Sequence, residues 1–130
     1  MTDLKGTAVP CPVFGSCGGC QYQHLDYADE LALKEKGLRE LLGAAVHLED
    51  GICHPVVPSP KDYHYRNRLD LKLVHRRNGD VHVGFSPGGR GPVIEVDACP
   101  IAMEALSQFI PRLRQEASAL IPKEYRMANL

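Results

Sequence analysis

From Tyr27 to Leu42 the apolar residues Tyr27, Leu31, Leu38, Leu41 and Leu42 recur at helical spacing and share one face. Asp26 stands where a cap is wanted and Gly43 follows the last periodic residue, so the pattern predicts a helix over residues 26–43. Glu30–Lys34 and Glu35–Arg39 are favourable pairs four residues apart on it. Residues 51–64 contain Pro55, Pro58 and Pro60 and are expected to run extended, as a linker or an edge strand. From Arg66 to His75 the period switches to two: Leu69, Leu71 and Leu73 face one way, and Arg68, Asp70 and Lys72 the other. That is a half-buried strand. Asn78-Gly79 predicts a tight type I′ hairpin, which needs positive φ at both central residues. Val81, Val83 and Phe85 continue a second strand. Ser86 to Pro92 forms a loop, and Val93 to Val96 form a third strand that ends just ahead of Cys99. Met103, Leu106, Ile110 and Leu113 line one side of a helix over 101–120, which Pro111 is expected to kink or restart. The expected fold is α+β: a small antiparallel β-meander over 65–98 flanked by helices, all in one domain spanning 1–130.

Composition narrows the class. The 130 residues suffice for one modest core, and a 44% hydrophobic, 24% charged composition argues against wholesale disorder. No run of about 18 apolar residues occurs, so no membrane span is expected. Five cysteines, an odd number, with no signal peptide ahead of Cys11, point to a reducing cytoplasm rather than a secreted disulfide scaffold. The net charge of −1 by itself implies no nucleic-acid partner. Its distribution changes the picture. Residues 26–50 hold seven acids against Lys34, Lys36 and Arg39, whereas residues 61–90 hold seven bases against Asp62, Asp70 and Asp80. These are either two solvated faces or an acidic helix beside a basic sheet face suited to phosphates. On the second reading Arg66, Arg68 and Lys72 point together into solvent opposite the leucines, with Arg76 and Arg77 extending the patch at the hairpin. Weak, salt-sensitive RNA binding is expected there.

The cysteines carry the most chemistry. Cys11, Cys17 and Cys20 are spaced C-x5-C-x2-C in a glycine-containing loop, and Cys99-Pro100 supplies a fourth thiol. Gly18 and Gly19 allow the positive φ of a tight loop and the approach of backbone amides to bridging sulfides. Four thiolates suit a tetrahedral zinc or an iron–sulfur cluster. Zinc ribbons usually present two C-x2-C pairs, so a triplet plus a single favours the iron–sulfur alternative. Such a centre would staple the N-terminal loop to the exit of the third strand across 78 intervening residues. Cys53 beside His54 reads as an ordinary thiol. His24 is expected to hydrogen-bond near the loop rather than ligate, and Gly88-Gly89-Arg90-Gly91 lacks the context of a phosphate loop.

Taken in order, Cys11-x5-Cys17-Gly18-Gly19-Cys20-Gln21-Tyr22-Gln23-His24-Leu25-x-Tyr27, a Leu- and Lys-containing helix, Tyr65-Arg66-Asn67-Arg68 and Cys99 resemble one enzyme family. It is the 4Fe-4S branch of the S-adenosylmethionine-dependent RNA uracil-5-methyltransferases, of the 23S rRNA type. The resemblance covers about residues 10 to 115. Its cysteine block is specific and its Tyr-Arg-Asn-Arg block weak, with Arg68 where the family often has lysine. The resemblance implies cluster ligation by Cys11, Cys17, Cys20 and Cys99, with a structural or substrate-positioning role, since methyl transfer is redox-neutral.

Members of this family also carry a Rossmann-like methyltransferase domain with a glycine-rich cofactor loop, a nucleophilic cysteine and a general base. These are expected to lie outside the 130 residues, as is the small N-terminal RNA-binding β-barrel of many members. S-adenosylmethionine would then be bound only through a separate domain or subunit. The chain is read as the cluster-bearing substrate domain, alone or cut from a longer enzyme, with RNA, rRNA above all, as its partner. Alternatives are a free-standing redox iron–sulfur protein or a zinc-binding adaptor.

Overall fold

The computed structural model describes residues 8–47, 51–76, 79–87, 91–120 and 127–129. Contacts group them into two compact units. One comprises Tyr22–Asp62 with the residues ahead of Pro10, and the other Pro10–Gln21 with the residues from Tyr63 onward.

The first unit is built on helix α1, Tyr27–Ala45. Asp26 occupies the N-cap, but its side chain makes no capping bond, and its backbone carbonyl accepts from the Glu30 N–H at 3.0 Å. The helix does not stop at Gly43, as the sequence suggested. It continues to Ala45, and the extended Val46 ends it by donating its N–H to Leu42 O at 2.9 Å. Nothing requires Gly43 to adopt the left-handed conformation, so it serves as an ordinary helical residue. Both expected ion pairs form, Lys34 with Glu30 and Arg39 with Glu35. The expected apolar face is only half used. Tyr27, Leu31 and Leu42 are half-buried, whereas Leu38 and Leu41 remain 52% and 71% exposed. The proline-rich segment after α1 forms no strand and is tied to it by polar bonds. Arg39 donates to Cys53 O at 2.8 Å, Val56 N–H to Glu35 Oε2 at 3.3 Å, and Ser59 N–H to Tyr27 Oη at 2.7 Å.

The second unit carries the sheet. Its strands are β1 (Lys72–His75), β2 (Val81–Phe85), β3 (Ile94–Glu95) and β4 (Met127–Asn129), in the order β3-β2-β1-β4, all antiparallel. Helix α2, Glu104–Leu120, packs against β2. The meander appears as expected, with shorter first and third strands. The pairing of β4 with β1 has no counterpart in the sequence pattern.

Period-two alternation does what it predicted at the centre. Leu73 and Val83 lie opposite each other, both fully buried, with Leu71, Val81, Val96, Ile110 and Ala117 around them. Each of these Leu, Val and Ile side chains contributes about 1.5–3 kcal/mol through burial. Val13 and Cys99 pack against this same core, so the cysteine loop and the chain after β3 are both seated on it.

Two local features differ from expectation. The register pairs His75 with Val81, and Arg76 N–H bonds Asp80 O at 2.8 Å, so three residues rather than two lie inside the last hydrogen-bonded pair between β1 and β2. Gly79, with φ of 92°, is the left-handed residue that such a loop requires, while Arg77 and Asn78 lie outside the described residues. Pro111 neither restarts nor divides α2, which runs through it as one element. Its missing N–H forfeits only the bond to the Ser107 carbonyl.

Candidate metal centre

The cysteine loop is a chain of tight turns. Phe14 N–H bonds Cys11 O at 3.2 Å, Ser16 N–H bonds Val13 O at 3.1 Å, and Cys17 N–H bonds the same carbonyl at 3.0 Å. Gly15 and Gly18 make the reversals possible with φ of 80° and 74°. Gly19 does not take positive φ; its role is space, since a Cβ there would sit 3.5 Å from Cys17 Sγ. Cys99 enters from the opposite end of the sequence. Its N–H donates to the buried Ser107 Oγ at 2.9 Å, and its carbonyl accepts from Ala102 N–H at 3.1 Å.

All five cysteines are free thiols and half-buried. Burial pushes the Cys17 thiol up from its ordinary range, and a backbone hydrogen bond from Gly19 opposes this. The neighbouring Cys11 and Cys99 push it further up, and Arg66 pulls it down. Cys11 and Cys99 therefore each lie within electrostatic reach of Cys17, in a unit that also holds Cys20. Among the described residues, no three His, Cys, Asp or Glu side chains are gathered closely enough to hold a single metal ion. Cys53 belongs to the other unit, where its carbonyl accepts from Arg39.

The basic residues singled out by alternation differ in their settings. Lys72 belongs to β1 and is half-buried, whereas Arg66 and Arg68 precede the strand and are exposed. Arg68 pairs with Asp70 at 2.8 Å, both side chains being well exposed. Arg66 is drawn elsewhere, into a parallel bridge with Ala102. Arg76 is exposed at the end of β1, and Arg77 lies outside the described residues.

Three features escaped the sequence reading. His64 adopts φ of 57° and donates from Nδ1 to Ala102 O at 3.0 Å. Histidine is enriched among non-glycine residues with positive φ, but that signal is too weak to act on. Ser107 holds the Cys99 amide. Arg114 of α2 lies 3.0 Å from Glu95 and 2.7 Å from Asp97 and donates to Val96 O at 2.7 Å, while Glu95 also contacts His82 across the sheet. This network links α2, β3 and β2.

No protein-family model matches the chain. Individual relatives do. The chain is 37% identical over 81% of its length to a tRNA (uracil(54)-C(5))-methyltransferase of Pyrococcus abyssi, covering 23% of that protein. It is 35% identical over 82% of its length to an uncharacterized RNA methyltransferase of Aquifex aeolicus, covering 24% of it. It is 32% identical over 85% of its length to a 23S rRNA (uracil(1939)-C(5))-methyltransferase of Azoarcus, covering 25% of it. The chain thus spans about a quarter of the length of the curated relatives it matches. Over some four-fifths of its own length, it is homologous to RNA uracil-C5-methyltransferases.

Proposed function

We propose that these 130 residues are the cluster-bearing, RNA-contacting portion of an RNA uracil-C5-methyltransferase, with a 4Fe-4S cluster held by Cys11, Cys17, Cys20 and Cys99. The observation that carries this is that the loop holding Cys11 and Cys17, through Val13, and the sequence-distant Cys99 are seated on the same core, with Cys11 and Cys99 both acting on the Cys17 thiol. The residues present fit such a group. Glycines at 18 and 19 leave backbone amides accessible beside Cys17, and the thiols are partly shielded from water. In a cubane each thiolate binds its own iron, so the four sulfurs stand further apart than around one ion. A zinc site needs all four within about 2.3 Å of one centre.

When bound, the cluster supplies a rigid cross-link between the loop and the exit of β3. Closing a 78-residue segment in this way contributes about 4.5 kcal/mol on a loop-entropy scale. The protein's own residues do the rest. Ser107 fixes the Cys99 amide, Gly15 and Gly18 fold the loop, and Val13 anchors it on the core. The methyl transfer itself, with S-adenosylmethionine as donor and RNA as acceptor, is assigned to a methyltransferase domain outside these residues, working in the cytoplasm. The homology extends well beyond the cysteine loop and favours neither a free-standing redox protein nor a zinc adaptor.

Anaerobic purification tests the metal assignment. Wild type is expected to be brown, with about four irons and four sulfides per chain. Cys17→Ser and Cys99→Ser should lose the colour and melt earlier. A colourless wild type with stoichiometric zinc overturns the assignment.

A further inference from the structure

We propose that Tyr65 is a stacking platform for an unpaired base of RNA, with Arg66 and Arg68 serving the adjoining phosphates. The proposal rests on the RNA-contacting reading above and specifies the form of RNA that this surface takes.

Tyr65, Arg66, Asn67 and Arg68 are four consecutive exposed residues. Tyr65 is 54% exposed, although an aromatic side chain contributes most to stability when covered. The backbone that carries it is tied on both sides. His64 N–H bonds Pro100 O at 3.0 Å, Arg66 N–H bonds Ile101 O at 2.8 Å, and Met103 N–H bonds Arg66 O at 2.9 Å. Arg66 also faces Ala102 in the parallel bridge. Tyr65 therefore stands between two residues that are both anchored to segment 100–103. A ring presented on ordered backbone loses little further freedom when a ligand covers it.

Strain marks the same place. His64 holds φ of 57°, a conformation that costs a non-glycine residue about 1 kcal/mol or more, and its Nδ1 bond to Ala102 O retains it there. Tertiary bonds thus maintain a strained path whose next side chain is left uncovered. A strain kept for an uncovered aromatic indicates a surface shaped for a ligand.

The neighbouring charges select that ligand. Among the described residues no carboxylate pairs with Arg66. Arg68 pairs with Asp70 at 2.8 Å, but their side chains are 80% and 74% exposed. An ion pair so solvated is worth little and exchanges for a phosphate at small cost. An aromatic ring interleaved with cations suits single-stranded nucleic acid, where bases stack on the ring and the cations follow the backbone. A duplex keeps its base faces inside the stack and leaves the ring nothing to cover. RNA, rather than DNA, follows from the function proposed above.

Wild type, Tyr65→Phe, Tyr65→Ala and Arg68→Gln are prepared without oxygen and titrated with fluorescein-labelled RNA over a range of salt. The probes are a short uridine-rich single strand and the same sequence annealed to its complement, followed by anisotropy. Tyr65→Ala is expected to bind the single strand about tenfold more weakly, the loss of one base stack, with its salt slope unchanged because stacking releases no counterions. Tyr65→Phe keeps the ring and should match wild type, and Arg68→Gln should lower the slope by about one. Duplex binding should be equal in wild type and Tyr65→Ala. Equal melting is expected, since these side chains are exposed. Were Tyr65→Ala to melt earlier, Tyr65→Leu, which keeps apolar bulk without an aromatic face, carries the comparison with Tyr65→Phe. Equal single-strand affinity in wild type and Tyr65→Ala overturns the proposal alone, as does an equal loss on the duplex. If RNA affinity is unchanged while Tyr65→Ala loses association with a separately prepared methyltransferase domain, the ring is a protein contact and the proposal also falls. A wild type that binds neither RNA at low salt overturns the RNA-contacting reading and this inference together.

Discussion

Gly84 lies in β2 opposite Glu95 of β3, and a Cβ built on it would stand 1.9 Å from Ile94 O, 2.7 Å from Ile94 C and 2.9 Å from Glu95 Cα. These are all backbone atoms, so no rotamer change relieves the overlap. Even a 3.0 Å separation requires β3 to retreat by about 1.1 Å. The bond from Val96 N–H to Val83 O already measures 3.3 Å and would not survive that movement, and the two β2–β3 pairings would be strained with it. Ladder bonds are worth about 1 kcal/mol each, and overpacking adds about 1–3 kcal/mol, so Gly84→Ala is expected to destabilise by about 3 kcal/mol. For a domain of this size that lowers the melting temperature by about 10 °C. Thermal denaturation followed by circular dichroism measures it. Since β3 leads directly to Cys99, iron occupancy should fall in the same variant. A Gly84→Ala protein that melts within about 2 °C of wild type would refute the close approach of β2 and β3.

Gly43→Ala tests the opposite sign. Nothing lies within 4 Å of a Cβ there and the residue is helical, so alanine should raise helix content and stabilise α1 by about 0.5–1 kcal/mol. Binding of structured RNA should weaken with added salt. Replacing Arg68 and Arg76 by alanine should reduce the log–log slope by about two without changing cluster absorbance, and an unchanged slope would assign both to a solvated surface. Supplied with S-adenosylmethionine and uridine-containing RNA, the 130 residues alone should form no 5-methyluridine. Product formed by them alone would place catalysis within this portion.

The sheet core was legible because period two is a local signal. Leu71, Leu73, Val81 and Val83 alternate in the sequence and are buried in the structure, since one face of a pleated strand must be covered. The ion pairs of α1 were legible for the same reason: residues four apart on a helix are neighbours in any tertiary context. Residue type and spacing single out Cys11, Cys17, Cys20 and Cys99 as a candidate set, because few chemistries need thiols in that pattern. Other features depended on partners distant in sequence. The end of α1 at Ala45, the three-residue loop inside the Arg76–Asp80 pair, and the addition of β4 to β1 follow from pairing that local propensity does not encode. The same holds for the basic residues. Alternation put Arg66, Arg68 and Lys72 on one face, and the backbone bonds of Arg66 to Ile101 and Met103, which begin the segment ahead of the strand, have no signal in that alternation. Local sequence thus determined which residues alternate, which carry charge and which carry sulfur. Tertiary hydrogen bonding, which costs chain entropy until distant segments meet, decided which of those residues joins the sheet and which is held beside the turn that follows Cys99.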